Sequence, residues 1–258
     1  MGKLITLTTD FGAADPYVGI MKGVILSLNP QATIIDLCHD IAPQNIAQAA
    51  FLLKTSYFYF PPETIHVVIV DPGVGGKRRA VILKTERAYF VAPDNGVLTG
   101  ILEEAKSFQA FSIENPQFWL HPVSSTFHGR DIFAPVAAHL SLGVAVEEFG
   151  EPTSDLVRLL LPHPEVREGL IVGQVVHVDR FGNLITNVGG ELLQGEFSLE
   201  IQGNYIKKLS TCYENGTGLL ALIGSTGNLE IAVKNGSAAK KLRAGIGTPV
   251  RVRRFRDG

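Results

Sequence analysis

The run Val67-Val-Ile-Val70 constrains the fold of this chain more than any other stretch. Four consecutive β-branched apolar residues leave no polar face, so the strand they form has to be covered on both sides, as in a parallel sheet flanked by helices. The run stops at Asp71-Pro72, and the loop beyond it carries Gly73, Gly75 and Gly76 before Lys77, Arg78 and Arg79. In open α/β sheets, ligands sit outside the carboxyl ends of the strands. A carboxylate there, beside a glycine-rich turn and fixed positive charge, marks a candidate site. The same residues would equally serve as a plain strand end with a capped turn and solvated cations.

The flanking sequence supplies the rest of such a sheet. Leu4 to Thr9 is β-rich and ends at Asp10-Phe11-Gly12. Asp15 is placed as an N-cap and Pro16 at the first helical position, with helical periodicity over Tyr17 to Leu28. Thr33 to Leu37 predicts a second strand and Asn45 to Thr55 a second helix. This β-α-β-α-β order predicts an α/β domain with a mainly parallel, helix-covered sheet. Ala80 to Lys84 and Tyr89 to Ala92 follow as strands, Val97 to Ala105 as a helix and Phe108 to Ile113 as a strand. Ser125-Thr-Phe-His-Gly-Arg-Asp131 then leads into a helix over Ile132 to Leu142, where Pro135 is tolerable only in the first turn.

The pattern changes near Leu161-Pro-His-Pro164. Short strands then recur between turns: Leu170 to Asp179, Asn183 to Val188, Phe197 to Ile201, Leu219 to Ile223, Leu229 to Val233 and Val250 to Phe255. Such spacing with little helical signal predicts an all-β domain, a small barrel or a sandwich. Two domains are therefore expected: an α/β N-terminal domain, 1–162, and an all-β, barrel-like or sandwich C-terminal domain, 163–258.

Charge excludes several classes of partner. Basic and acidic residues number 23 and 25, so no global field recruits nucleic acid or anionic lipid. The one basic cluster, Arg251-Val-Arg-Arg-Phe-Arg256, alternates with apolar residues and reads as a last strand with one wet face. Cys38 and Cys212 form no disulfide framework or zinc spacing. No signal peptide is evident, and no apolar run approaches the roughly 20 residues that span a bilayer. The expectation is a cytoplasmic protein without nucleic-acid or membrane partners.

Several common motifs are absent. Gly73-Val-Gly75-Gly76-Lys77 has neither P-loop spacing nor the last glycine of Gly-x-Gly-x-x-Gly, and no Gly-x-Ser-x-Gly elbow occurs. In Asp36-Leu-Cys-His39-Asp40, strand alternation would send neighbours to opposite faces, which favours a structural role over a metal site. What remains is polar chemistry near strand ends: Asp10, Asp71, Arg78 and His128. Arg130 and Asp131 read as helix-start charges, and Lys77 and Arg79 as solvated cations. In the second domain, Asp179-Arg-Phe-Gly-Asn183 and the segment from Ser225 are polar turns; an Asn side chain can read a purine edge and Phe181 can stack on a base.

Taken in order, these motifs make the chain resemble the adenosine-forming S-adenosylmethionine hydrolases, the S-adenosylmethionine hydroxide adenosyltransferases. They are Thr8-Thr-Asp-Phe-Gly12, Asp71-Pro-Gly-Val-Gly75 with Arg78, Pro93-Asp-Asn-Gly96, Phe127-His-Gly-Arg130, Asp179-Arg-Phe-Gly-Asn183 and Leu229-Glu-Ile-Ala-Val233 with Asn235-Gly236. The resemblance implies that Asp71, Arg78 and His128 hold the nucleophilic water and that Asp10 binds the ribose hydroxyls. It implies that Asp179 and Ser225 grip the methionine end, and that Phe181 and Asn183 contact adenine. It further implies a homotrimer with sites at subunit interfaces, S-adenosyl-L-methionine as substrate, and no cofactor or metal. The related fluorinating enzymes carry Tyr at the positions of Asp71 and His128, Ser at Gly129, Arg at Thr226 and an inserted loop after the glycine-rich stretch. An anionic Asp71 should repel halide and favour water.

The implied reaction is attack of water or hydroxide on ribose C5′, releasing adenosine and L-methionine. The rivals are a nonenzymatic adenosine or S-adenosylmethionine binding protein, a halide-using synthase of the same fold and a methyltransferase. The last would need a Gly-x-Gly strand-to-helix loop, which this chain lacks.

Overall fold

The computed structural model describes residues 3–215 and 218–254. The chain divides into two units, Met1–Leu160 and Leu161–Gly258.

In the first unit, β1 (Leu4–Thr9), α1 (Tyr17–Leu28), β2 (Thr33–Cys38), α2 (Ile46–Ser56) and β3 (Ile65–Ile69) follow the β-α-β-α-β order. They are continued by β4 (Ala80–Thr85), β5 (Tyr89–Pro93), α3 (Thr99–Glu104), β6 (Phe108–Ser112), α4 (Ala134–Ser141) and β7 (Pro152–Thr153). The sheet order is β2-β1-β3-β5-β4-β6-β7. Every residue of β3 is buried. Ile5, Leu7, Ile65, Val67 and Ile69 pack with α1 and α4 on one face; Val68 and Val70 pack with α2 and α3 on the other.

The sheet is mixed, which corrects the expectation of a mainly parallel one. The β1–β2, β1–β3 and β3–β5 pairs are parallel, but β4–β5, β4–β6 and β6–β7 are antiparallel. The cause is local: Thr85 N donates to Ala88 O at 3.0 Å, while Thr85 Oγ1 takes Arg87 N and Ala88 N. A turn this tight can only join antiparallel neighbours, since a parallel pair needs a crossover of a dozen or more residues.

Helix starts also differ in detail. Asn45 caps α2 by accepting Gln48 N at 3.0 Å. α1 has no side-chain cap; Pro16 occupies its N-cap position. The predicted Ile132–Leu142 helix begins instead as a π-turn over Gly129–Phe133, with Pro135 in the first turn of α4. Pro135 lacks the N–H that would bond the Asp131 carbonyl four residues back. That carbonyl takes Leu120 N at 2.8 Å instead.

The second unit comprises β8 (Glu165–Arg167), β9 (Leu170–Val178), β10 (Leu184–Gly189), β11 (Phe197–Ile201), β12 (Asn204–Ile206), β13 (Leu219–Ile223), β14 (Asn228–Val233), the short α5 (Ala238–Leu242) and β15 (Pro249–Arg254). Its strand order is β12-β11-β15-β9-β10-β14-β13, with β8 on β9 and every strand pairing antiparallel. An isolated bridge from Leu209 to Ala221 brings the chain after β12 onto β13, so the sheet nearly closes into a barrel. In β15, Val250 and Val252 are buried while Arg251 and Arg253 are exposed; Phe255 and Arg256 lie outside the described residues. No helix among the described residues is long and apolar enough to cross a membrane.

Candidate active site

Asp71 stands just beyond the buried strand β3. Two tight turns follow, Val74 N to Asp71 O at 3.2 Å and Gly76 N to Gly73 O at 3.0 Å, and they fold the chain back so that Arg78 lies across Asp71. Arg78 Nε donates to both carboxylate oxygens at 3.0 and 2.9 Å, and Nη2 reaches Oδ2 at 2.5 Å. Gly73 leaves room for this approach, because a Cβ there would stand 3.2 Å from Arg78 Cγ. The pair is largely buried, with the side chains of Arg78 and Asp71 11% and 5% exposed. The buried Phe133 ring, 5.3 Å from Arg78 Cζ, covers the guanidinium.

The same guanidinium reaches His128, with Nη2 2.8 Å from Nδ1. Arginine can only donate, so Nδ1 is the acceptor and the neutral ring carries its proton on Nε2. Burial holds the His128 pKa below its ordinary value, and the Arg78 charge adds to that; Asp71, Asp131 and the Ser124 backbone pull weakly the other way. Asp71, Arg78 and His128 therefore form one connected set.

The loop opposite is tightly held. Gly75 has φ +74°, and a Cβ there would overlap the Ser125 carbonyl oxygen, so the glycine-rich loop rests on the Ser125 backbone. Asp131 is fully buried and accepts Ser124 N at 2.8 Å as well as Arg130 Nε at 2.6 Å and Nη2 at 3.0 Å. Arg130 and Asp131 are thus more than helix-start charges. Arg79 is likewise no solvated cation. Its guanidinium donates to Asp94 Oδ2 at 2.9 and 2.6 Å, to Asp155 Oδ1 at 2.7 Å and to Thr153 Oγ1 at 3.0 Å, pinning residues 153–155 beside β4.

Asp10, Asp71 and His128 line a cleft of about 610 Å³ at the carboxyl ends of β1 and β3, with Arg78 bonded behind them. Asp10 Oδ2 accepts Gln44 N at 2.7 Å. One wall is aromatic: Tyr17 meets Phe127 edge to face at 5.1 Å and Phe11 tilted at 5.6 Å. Sequence reasoning missed this wall because Tyr17 starts a helix and Phe11 and Phe127 sit in loops, with no shared periodicity. The Asp36–His39 segment is structural: Asp36 pairs with Lys22 at 2.6 Å, and His39 Nδ1 meets Thr9 Oγ1 at 2.9 Å. Among the described residues no group of three or more His, Cys, Asp or Glu could hold a metal.

In the second unit, Asp179 organises its own turn. Its Oδ1 accepts Phe181 N at 2.9 Å and Asn183 N at 2.8 Å, and Oδ2 accepts Asn183 Nδ2 at 2.9 Å. Asn183 is buried, while Phe181 is 77% exposed. Ser225 sits exposed in the turn between β13 and β14. Glu230 nearby was not singled out from sequence. Buried, it accepts Tyr213 Oη at 2.6 Å. That bond and burial push the tyrosine up to about 12, and burial raises the Glu230 pKa.

Comparison with known proteins follows the same two-unit division. Residues 5–150 match the family profile described as SAM hydroxide adenosyltransferase N-terminal domain, and residues 173–251 match the C-terminal domain of that family. The chain is 36% identical over 255 residues to the (R)-S-adenosyl-L-methionine hydrolase of Methanocaldococcus jannaschii, covering 93% of this chain and 91% of that one. It is 38% identical over 257 residues to the enzyme of that name from Thermus thermophilus, covering 95% and 97%. A fluorinase from Actinoplanes sp. is more distant, 29% identical over 212 residues, with 72% of this chain and 71% of that one covered. Among solved structures, an uncharacterized conserved protein from Thermotoga maritima superposes with a TM-score of 0.92 at 37% identity, covering 97% of this chain and all of that one (100%).

Proposed function

Since this chain belongs to the SAM hydroxide adenosyltransferase family, we propose that it hydrolyses S-adenosyl-L-methionine at ribose C5′ to adenosine and L-methionine. The names of its relatives specify the (R)-sulfonium epimer, and that epimer is the substrate we assign to this chain. The observation that carries the reading is the Asp71–Arg78–His128 set at the edge of the cleft.

The leaving group is a neutral thioether departing from a sulfonium, so it needs no proton. The difficulty lies with the nucleophile, because bulk water has a pKa near 15.7. Asp71 accepts the water proton as oxygen bonds to C5′ and the C5′–S bond breaks. Arg78 fixes the carboxylate, and His128 helps hold the water. Positioning of this kind supplies about 7–11 kcal/mol of barrier reduction. Asp10 holds the ribose hydroxyls with the oxygen not engaged by Gln44. In this reading residues 1–162 form the catalytic domain. The barrel domain, 163–258, contributes Asp179 and Ser225 to the methionine end and Phe181 and Asn183 to adenine. The enzyme works as a cytoplasmic homotrimer with sites shared between subunits, without metal or cofactor.

The test is a product assay with each sulfonium epimer. Adenosine and methionine appear from the (R)-epimer, with or without EDTA. S-adenosylhomocysteine as product, 5′-chloroadenosine in chloride, or activity lost to EDTA and restored by a divalent ion would each overturn part of this assignment.

A further inference from the structure

Asp131 has a job that its place in the sequence does not disclose. Its carboxylate is fully buried, and a buried charge persists only when its oxygens are satisfied. Arg130, the preceding residue, donates to both oxygens, and Oδ2 also accepts the backbone N–H of Ser124, seven residues back. Asp131 therefore closes the 124–131 loop on itself. The Asp131 carbonyl, released by Pro135, also takes Leu120 N, so both the carboxylate and the main chain of this residue hold the approach to the cleft.

The loop so closed supports the reacting groups from two sides. Ser125 presents the carbonyl on which Gly75 rests, with no space for even a methyl group between them. That contact sets the height of the glycine-rich loop that ends in Arg78. The Ser124 backbone also acts on the His128 ring, raising its pKa slightly, and Arg78 takes the Nδ1 of that ring. Asp131 thus holds Ser124 beside His128 and Ser125 against Gly75, and His128 and the Gly75 loop both lead to the Arg78–Asp71 pair. We infer that Asp131 is a positioning residue, which sets the distance between His128 and the Asp71–Arg78 pair by anchoring Ser124. The inference rests on the reading of those three residues as the water-holding set.

Two variants separate positioning from simple charge. Arg78, Asp71 and Asp131 are the charged groups that act on His128, and Asp131 raises its pKa. Removing the charge in an undisturbed loop moves the acid limb of kcat downward. Releasing the loop exposes His128 to water and moves the limb upward, toward 6.5. Asp131→Asn keeps an acceptor for Ser124, so its kcat stays near wild type and its limb does not rise. Asp131→Ala keeps none: its kcat falls about tenfold or more, KM changes little and the limb moves up. Asp131→Ser, too short to reach Ser124 and Arg130 together, replaces the alanine variant if that fails to fold. A folded alanine or serine variant with wild-type kcat, or with its acid limb shifted down, overturns the inference, as does an asparagine variant whose kcat falls as far as that of the alanine variant. Wild-type protein that forms no adenosine overturns the proposed function instead.

Discussion

Nη2 of Arg78 lies 2.8 Å from Nδ1 of His128, and because a guanidinium has only donors, this contact holds the imidazole as a neutral acceptor. A charged His128 would have to turn a proton toward Arg78. The set therefore works in one protonation state, with the positive charge on arginine and the histidine neutral.

The first consequence is a pH profile. His128 has its pKa lowered by burial and by Arg78, so it stays neutral through pH 6.5 and protonates only in more acid solution. Turnover should hold constant from neutral pH down to 6.5 and fall below it. A pH–rate profile that declines already between pH 8 and 7 contradicts the assignment.

Asp71→Ala removes the proton acceptor and leaves Arg78 unpaired beside Phe133. Turnover should fall by a factor on the order of 10²–10⁴, the range for loss of a general base, while calorimetry still detects substrate binding. Near wild-type turnover would exclude Asp71 as the acceptor.

His66 provides a stability test away from the chemistry. It is fully buried in β3, with Nδ1 2.7 Å from Thr6 Oγ1 and its ring stacked on Phe90. Burial lowers its pKa to about 4, so the folded protein excludes a proton that the unfolded chain accepts below pH 6.5. Stability from this group is complete above 6.5 and is lost as pH falls toward 4, by about 3 kcal/mol in all. His66→Phe should be less acid-sensitive by that amount in urea unfolding at pH 7.5 and 4.5. An unchanged difference between the two pH values would show that His66 does not contribute.

Two glycines with similar backbones should respond differently to alanine. Gly75 and Gly227 have φ +74° and +80°, but a Cβ at Gly75 would overlap Ser125 O, while one at Gly227 would meet nothing within 4 Å. Gly227→Ala should cost about 1–2 kcal/mol, the penalty of a left-handed alanine. Gly75→Ala should cost more and lower kcat as well, because the loop carrying Arg78 must lift off Ser125. Thermal unfolding and steady-state kinetics on both variants give the comparison.

Part of this architecture was readable in the chain itself. The β-branched run at Val67 announced a strand covered on both faces, and the first five elements followed from periodicity and breakers. The antiparallel β4–β5 pairing was within reach too, because the turn after Thr85 is far shorter than the dozen or more residues of a parallel crossover; the mainly parallel expectation came from the first three strands alone. In the site, Asp71 and Arg78 are neighbours in sequence and carry a recognisable motif. Arg79 was misread because its partners Asp94 and Asp155 lie 15 and 76 residues away, where no local pattern reports them. Asp131 was underrated for a related reason. A carboxylate at a helix start is ordinary, and only its burial distinguishes this one.

The proline at position 135 has an effect on motion as well as on geometry. By freeing the Asp131 carbonyl for Leu120, it makes two amides, those of Leu120 and Ser124, depend on one residue in the π-turn ahead of α4. Neither amide can reach solvent through its own loop fluctuation without breaking a bond to Asp131. In hydrogen–deuterium exchange the two should open together, as a single cooperative segment tied to the π-turn that leads into the helix. The rim of the cleft would then loosen all at once rather than residue by residue.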